Sequence, residues 1–187
     1  MKKDARYRAT EEALLQSMIE LMKEKPLHMI SIKELTGRAG IDNATFYRHY
    51  TDIREWRETF EKGYVHAIEE KFHNSEQKDW KSLLRILLIH LSENKETSQM
   101  LMGENFRSFV LMDISRCLLD EVDNEFFPHQ AYRIIGKAGW PYQATSAAIN
   151  ALIIMWINSG MHEEIEELIS YIENDIFSLI GYPKCEE

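Results

Sequence analysis

The sequence predicts an all-α fold, and three observations lead to this prediction. Apolar residues recur at helical spacing along most of the 187 residues, and no stretch alternates apolar and polar residues as a strand would. Capping and helix-stop signals separate the periodic stretches. Neither an internal repeat nor a low-complexity tract interrupts them. We therefore expect about nine helices, in a small three-helix N-terminal domain and a larger C-terminal helical domain.

A first helix and a short second helix are predicted from their end signals. Thr10 can cap the first helix, and Pro26 closes it because proline disfavours a helical conformation in the residue before it. Ser31 and Glu34 form an S-x-x-E capping box, which opens a short helix that runs to Ala39.

A tight turn separates the second helix from a third. Gly40 ends the second helix, and Asp42 can cap a third one that begins at Asn43. Two short helices joined by such a turn form a helix-turn-helix unit. The second helix of this unit enters the major groove of DNA with its N-terminal residues facing the bases. The spacing therefore predicts a DNA-binding function.

The side chains of the third helix suit this function. The amide of Asn43 can pair with an adenine edge, and the methyl groups of Ala44 and Thr45 can contact the thymine methyl. Several neighbouring side chains can donate hydrogen bonds to phosphates, and Ser31 offers a hydroxyl and backbone amides at a helix end. The predicted DNA-binding residues are Ser31, Lys33, Asn43, Ala44, Thr45, Tyr47, Arg48, His49 and Arg54.

Residues 31–50 closely resemble the DNA-binding signature of the TetR family (TetR/AcrR type). The matching segments are Ala39-Gly40-Ile41-Asp42 at the turn and Thr45-Phe46-Tyr47-Arg48-His49-Tyr50 in the third helix. The resemblance extends from Thr10 to Trp56 and implies a DNA-binding domain over residues 1–52 and a ligand-binding and dimerisation domain over residues 53–187. It also implies that Tyr47 and His49 contact phosphates, that Asn43 and Thr45 approach bases, and that Phe46 packs the core of the small domain.

One position departs from the family pattern. The family usually has a lysine at the start of the fourth helix, where it meets a phosphate, and Ile53 stands at this position here. Arg54 is the adjacent cation, although an offset of one residue rotates a helical side chain by about 100°. We therefore include Arg54 among the candidate phosphate contacts.

Charge is distributed unevenly along the chain. The formal net charge is −9, yet residues 1–60 hold 11 Lys/Arg against 10 Asp/Glu, and the remainder holds 11 against 21. A nearly neutral domain can bind phosphates if its cations share one face, because the local arrangement sets the field. The charge pattern therefore permits DNA binding without indicating it.

The resemblance implies dimerisation through the last two helices, which the sequence predicts at residues 142–159 and 162–180. The first of these is apolar on most faces and carries small residues that permit close helix approach, and the second carries a matching apolar stripe. An ordinary intramolecular core would give the same periodicity. The predicted dimer interface comprises Ala144, Ala147, Ala148, Ala151, Ile165, Leu168, Ile169, Ile172 and Ile176. Two-fold symmetry in turn predicts a palindromic operator.

A second set of apolar residues could line a pocket for a small apolar effector. Methionine and aromatic side chains give an adaptable lining, and a histidine would supply a polar partner. The same residues would serve equally well as ordinary core. The candidate pocket residues are His90, Met102, Phe106, Phe109, Met112, Trp140, Met155 and Trp156.

Other functional classes find little support. The chain has no Gly-rich phosphate loop, no GxSxG and no HExxH, and Cys117 and Cys185 form no CxxC pair, so we expect no catalysis, no cofactor and no metal. No run approaches about 18 apolar residues, and no apolar run follows the basic start as in a signal peptide. We therefore expect no membrane association and a cytoplasmic location.

The expected function is that of a ligand-responsive repressor that binds a palindromic operator as a homodimer. The alternative is a co-regulator that acts mainly through a protein partner. The acidic larger domain and Ile53 in place of the usual lysine leave room for this alternative.

Overall fold

The computed structural model describes residues 2–77, 79–103, 110–112, 114 and 140–176, with side chains from residue 5 onwards and, in the last stretch, from residue 143. The backbone of these residues is helical and contains no strand, which confirms the predicted all-α fold. The α-helices are α1 (Lys2–Glu24), α2 (Ile32–Arg38), α3 (Asn43–Tyr47), α4 (Ile53–His73), α5 (Trp80–Glu93), α6 (Lys95–Met102), α7 (Trp140–Ser159) and α8 (Ile165–Tyr171). A 3-10 turn (Leu27–Met29) follows α1, a π-helical turn (Ile172–Ile176) follows α8, and residues 110–112 and 114 are also helical.

Two units divide the chain by their internal contacts. Of the described residues, the N-terminal unit contains 2–63 and 100–103, and the C-terminal unit contains 64–99, 110–112, 114 and 140–176. The division falls within α4, which therefore contributes residues to both units. The functional boundary between residues 52 and 53 stays a prediction.

Helix α1 begins at Lys2, so the prediction that Thr10 caps it is wrong. The hydroxyl of Thr10 instead donates a hydrogen bond of 2.9 Å to the Arg6 carbonyl one turn earlier. A threonine hydroxyl can satisfy itself in this way inside a helix, so that a capping residue type need not mark a helix end. Leu14 and Met18 of this helix are buried in the N-terminal unit.

The predicted caps of α2 and α3 are confirmed. Ser31 and Glu34 form a reciprocal capping box, in which the backbone N–H of each residue donates to the side chain of the other. Asp42 Oδ1 accepts the backbone N–H of Thr45 at 2.6 Å. Gly40 between the helices has φ +67°, a left-handed conformation in which glycine carries no Cβ penalty. These local contacts fix the ends of both short helices.

In the C-terminal unit, α5 packs against α8, and α7 packs against the π-helical turn. Gly160 (φ 103°) and Met161 (φ 57°) end α7, and the last helix begins at Ile165, later than the predicted His162. No helix in the described part of the chain is long and apolar enough to cross a membrane. The fully buried apolar side chains of this unit include Ile68, Phe72, Leu88, Leu91, Ile157 and Ile172.

Several predictions fall on positions outside the described residues. They concern the end of the last predicted helix beyond residue 176, the pocket candidates Phe106 and Phe109, and the two cysteines, Cys117 and Cys185.

Candidate nucleic-acid interface

Helix α3 has one buried side and one exposed side. Phe46 is completely buried and packs against the ring of Tyr50 at 5.6 Å between centroids. The next residue, Tyr47, is 57% exposed. Consecutive residues of a helix point about 100° apart, so Phe46 anchors the helix while Tyr47 faces outward. Helix α3 ends at Tyr47, and Arg48 and His49 follow as a turn, whereas the sequence predicted a helix to residue 50.

Three cations of the predicted DNA-binding set are free of carboxylates. Lys33, Arg48 and Arg54 are exposed, and none makes an ion pair with another described residue. Other cations of this unit are paired with carboxylates, among them Lys25 with Glu34 and Arg38 with Glu24. Lys33 on α2, Arg48 directly after α3 and Arg54 in the first turn of α4 therefore remain available to phosphates.

The hydroxyl of Thr45 is occupied within α3. It accepts a hydrogen bond of 2.7 Å from Arg48 Nη2. The backbone N–H of Thr45, then its hydroxyl, and to a smaller degree the charge of Arg48, lower the pKa of Asp42. Because the Thr45 hydroxyl is bonded to both Asp42 and Arg48, its methyl group is the part of the side chain that a base could contact. Ala44, the other predicted methyl contact, is exposed.

Asn43, the first residue of α3, is tied to α2. Its Oδ1 lies 2.6 Å from the hydroxyl of Thr36, which is only 1% exposed, and Asn43 itself is exposed. The Nδ2 of Asn43 has no partner among the described residues. Thr36 was not among the predicted site residues. No sequence pattern indicates this pair, because it joins two different helices across the turn.

Ser31 lies at the start of α2 as predicted, but its hydroxyl and its backbone N–H already donate hydrogen bonds within the protein. Its hydroxyl donates to Glu34 Oε2 at 2.7 Å, and its backbone N–H donates to the same oxygen at 3.0 Å. A phosphate at this position would have to compete with the Glu34 carboxylate. The hydrogen bond from Lys25, followed by those from Ser31, lowers the pKa of Glu34 to about 2.

This capping box gives a pH-dependent contribution to stability. A carboxyl whose pKa is lower in the folded state stabilises the fold above its unfolded pKa. We therefore expect the contribution of Glu34 to be complete above pH 4.5 and to be lost as the pH falls from 4.5 towards 2. The measurement is the urea midpoint of the wild type and of Glu34→Gln between pH 6 and 2.5. Glutamine also completes a capping box, so the difference between the two proteins should shrink in acid. A constant difference would contradict the assignment.

A polar cluster lies beneath the end of α3. Tyr50 Oη donates to Glu11 Oε2 at 2.8 Å, and the Tyr7 hydroxyl lies 3.2 Å from Tyr50 Oη. The Tyr7 ring meets the ring of His49 edge-on at 5.1 Å. Burial raises the pKa of Glu11. Sequence reasoning missed Tyr7 and Glu11, although their spacing of one helical turn on α1 indicates a shared face.

The predicted dimer residues divide into exposed and buried groups. Ala144, Ala147 and Ala151 are exposed at one-turn spacing on α7, and Met155 continues this row with 66% exposure. We call these four residues the outer face of α7. Ala148, Ile165, Leu168 and Ile176 are half-buried, and Ile169 and Ile172 are 2% and 0% exposed. Ile169 and Ile172 therefore belong to the core of the chain itself. In a dimer they would pack behind the residues that contact the second copy.

The pocket candidates differ widely in their exposure to solvent, although a pocket lining would be expected to be buried. Met112 and Met155 are more than half exposed, so they would line a pocket only if another element covered them. Trp156 is buried, and its indole N–H donates to the Glu163 carbonyl at 3.1 Å. Met102 is half-buried, and the side chain of Trp140 lies outside the described residues.

His90 is the most unusual of these candidates. It is 6% exposed, its ring contacts the ring of Tyr64 at 4.8 Å, and neither ring nitrogen has a hydrogen-bond partner among the described residues. Burial lowers the pKa of His90, which favours the neutral imidazole. The effector pocket stays a prediction.

The helix-turn-helix formed by α2 and α3 is followed along the chain by a larger helical unit. Neither a protein-family model nor a curated protein sequence matches the chain. Solved structures, in contrast, match nearly its whole length. The dihydroxyacetone kinase operon activator DhaS is 23% identical with a TM-score of 0.59, covering 91% of this chain and 96% of that one.

Two further solved structures give the same result. The fatty acid degradation regulator FadR from Bacillus halodurans is 12% identical with a TM-score of 0.63, covering 92% of this chain and 95% of that one. A TetR transcriptional regulator from Streptococcus agalactiae 2603V is 19% identical with a TM-score of 0.56, covering 92% and 96%. The chain thus has the TetR-type fold that its resemblance at residues 31–50 implied.

Proposed function

We propose that this protein is a TetR-type transcriptional regulator that binds double-stranded DNA through α2 and α3. The observation that carries the proposal is the two-sided α3, in which Phe46 is buried and Tyr47 is exposed next to Arg48, which makes no ion pair with another described residue. Cations fix a protein on the phosphate backbone, and side chains at the start of the recognition helix face the bases. Both kinds of group are present on this short segment.

The proposal includes a homodimer that binds a palindromic operator and represses transcription. The outer face of α7 supports the dimer, because a row of exposed small and apolar residues on a long helix suits close packing against a second copy. Two copies related by a two-fold axis would present two α3 helices to two half-sites. Repression follows the resemblance to the family, and increased transcription on binding would contradict it.

The proposal also includes a small apolar effector that binds in the C-terminal unit and lowers the affinity for DNA. The feature that supports it is His90, since a buried imidazole with no hydrogen-bond partner among the described residues gives a ligand a polar group to bond. Helix α4 contributes residues to both units, which supports coupling between them. A compound that binds the C-terminal unit and leaves the DNA affinity unchanged would contradict this part.

The DNA-binding proposal is tested by fluorescence anisotropy with a labelled duplex from upstream of the protein's own gene. We expect binding that weakens steeply as salt rises, because each phosphate contact releases condensed counterions. Lys33→Ala should weaken binding and reduce the slope of log K against log salt by about one, as loss of one phosphate contact requires.

Lys62→Ala is the matched control. Lys62 is also an exposed lysine of the N-terminal unit, but it lies on α4 about two helical turns beyond Arg54 and is not among the predicted DNA-binding residues. Its replacement should leave the salt slope unchanged. Equal slopes for all three proteins would remove Lys33 from the interface, and absence of binding at every salt concentration would favour a co-regulator that acts through a protein partner.

A further inference from the structure

The contact between Thr36 and Asn43 carries an inference about which base this protein recognises, and this inference rests on the proposed DNA binding. Thr36 is 1% exposed, and its hydroxyl oxygen lies 2.6 Å from Asn43 Oδ1, 2.8 Å from the Ile32 carbonyl oxygen and 3.4 Å from the Lys33 carbonyl oxygen. The hydroxyl has one hydrogen to donate. Which acceptor takes this hydrogen decides what Asn43 presents to solvent.

The distances assign the hydrogen to Asn43. A separation of 2.6 Å lies in the range of O–H···O bonds and below that of N–H···O bonds, so the atom of Asn43 nearest Thr36 is the amide oxygen. The Ile32 carbonyl lies farther away and is within reach of the backbone N–H of Thr36 as its ordinary helical partner. Asn43 Oδ1 has Thr36 as its partner among the described residues, and it is therefore the acceptor that needs the hydroxyl hydrogen.

This assignment leaves Asn43 with a donor group to present. Its Nδ2 carries two hydrogens and has no partner among the described residues, while the side chain as a whole is exposed. An asparagine that is free to offer both its oxygen and its nitrogen pairs with adenine, which has a donor at N6 and an acceptor at N7. Asn43 offers donors alone. Guanine presents two acceptors in the major groove, O6 and N7, whereas the N6 amino group of adenine would meet another donor.

We propose that Thr36 is a positioning residue that holds the Asn43 amide oxygen inward, so that Asn43 selects guanine at one position of each half-site. Thr36 does not itself contact DNA. Its buried hydroxyl fixes the orientation of the amide, and loss of this hydroxyl frees the amide to turn and pair with adenine. The sequence-based expectation of an adenine contact for Asn43 is thereby replaced by a guanine contact.

The test is selection of binding sites from a pool of duplexes with about two helical turns of randomised sequence, which span two half-sites. The proteins are the wild type, Thr36→Val, Thr36→Ser and Asn43→Ala. For the wild type we expect one position per half-site with guanine favoured over adenine by about tenfold or more, the discrimination that a good base contact gives. Thr36→Val has nearly the same shape without the hydroxyl, and it should bring guanine and adenine at this position to within about twofold.

The other two variants separate positioning from a merely structural role. Thr36→Ser keeps the hydroxyl and should retain the guanine preference. Asn43→Ala truncates an exposed side chain, so the variant is expected to fold, and it should abolish the preference at this position while preferences elsewhere in the half-site persist. A loss of stability alone would weaken binding to all sequences equally and would not change the base preference at a single position.

The outcomes distinguish this inference from the proposed function. If the wild type enriches no sequence, DNA binding itself fails and the inference fails with it. If the wild type enriches a site in which Asn43→Ala changes no position, or in which the position lost is adenine, DNA binding stands and the guanine assignment is wrong. An unchanged guanine preference in Thr36→Val would leave Asn43 as a base contact and would remove the positioning role of Thr36.

Discussion

Replacement of Phe46 by alanine is expected to destabilise the N-terminal unit by about 3–5 kcal/mol, the usual cost of truncating a fully buried phenylalanine. Phe46 is 0% exposed and packs against Tyr50, so its removal leaves a cavity at the point where α3 is anchored. Urea denaturation monitored by circular dichroism and tryptophan fluorescence measures the effect, since Trp56 reports on the same unit.

Tyr47→Ala is the matched control for this prediction. The adjacent aromatic side chain is 57% exposed, and its truncation should change stability by no more than about 0.5 kcal/mol. The same variant should bind DNA more weakly than the wild type if Tyr47 donates to a phosphate. A destabilisation of Tyr47→Ala as large as that of Phe46→Ala would contradict the two-sided arrangement of α3.

Ala147→Glu is expected to raise the dissociation constant of the homodimer by about 100-fold or more, because an unpaired carboxylate buried at an interface costs several kcal/mol. Ala147 lies in the middle of the exposed row from Ala144 to Met155. Two-fold symmetry would place the new charge in the interface twice. Sedimentation velocity over a concentration series measures the shift from dimer to monomer.

Ala9→Glu introduces the same side chain at another exposed helical alanine, on α1 of the N-terminal unit. It should leave the dissociation constant unchanged. A wild-type protein that sediments as a monomer at every concentration would contradict the proposed homodimer. A dimer that tolerates Ala147→Glu would place the interface away from the outer face of α7.

The position of Met155 illustrates how one helix can mislead sequence reasoning. A methionine beside Trp156 in an apolar stretch suggested a pocket lining, yet Trp156 is 4% exposed and Met155 is 66% exposed. Helix α7 is apolar on most sides, so its periodicity does not distinguish the core side from the outer side. The one-turn spacing from Ala151 to Met155 indicated that the two residues share a face of the helix. Only the burial of Ile153 and Ile157 showed that this face is the exposed one.

The sequence by itself determined the helical fold, the helix-turn-helix and the caps at Ser31 and Asp42, because these features depend on residues that are neighbours along the chain. Only the tertiary structure decided which groups remain available for chemistry. The hydroxyl of Thr36 reaches Asn43 from another helix, and the carboxylate of Glu11 reaches Tyr50 in the same way. Such contacts join residues with no fixed spacing in sequence, and they depend on how the helices of the unit pack together.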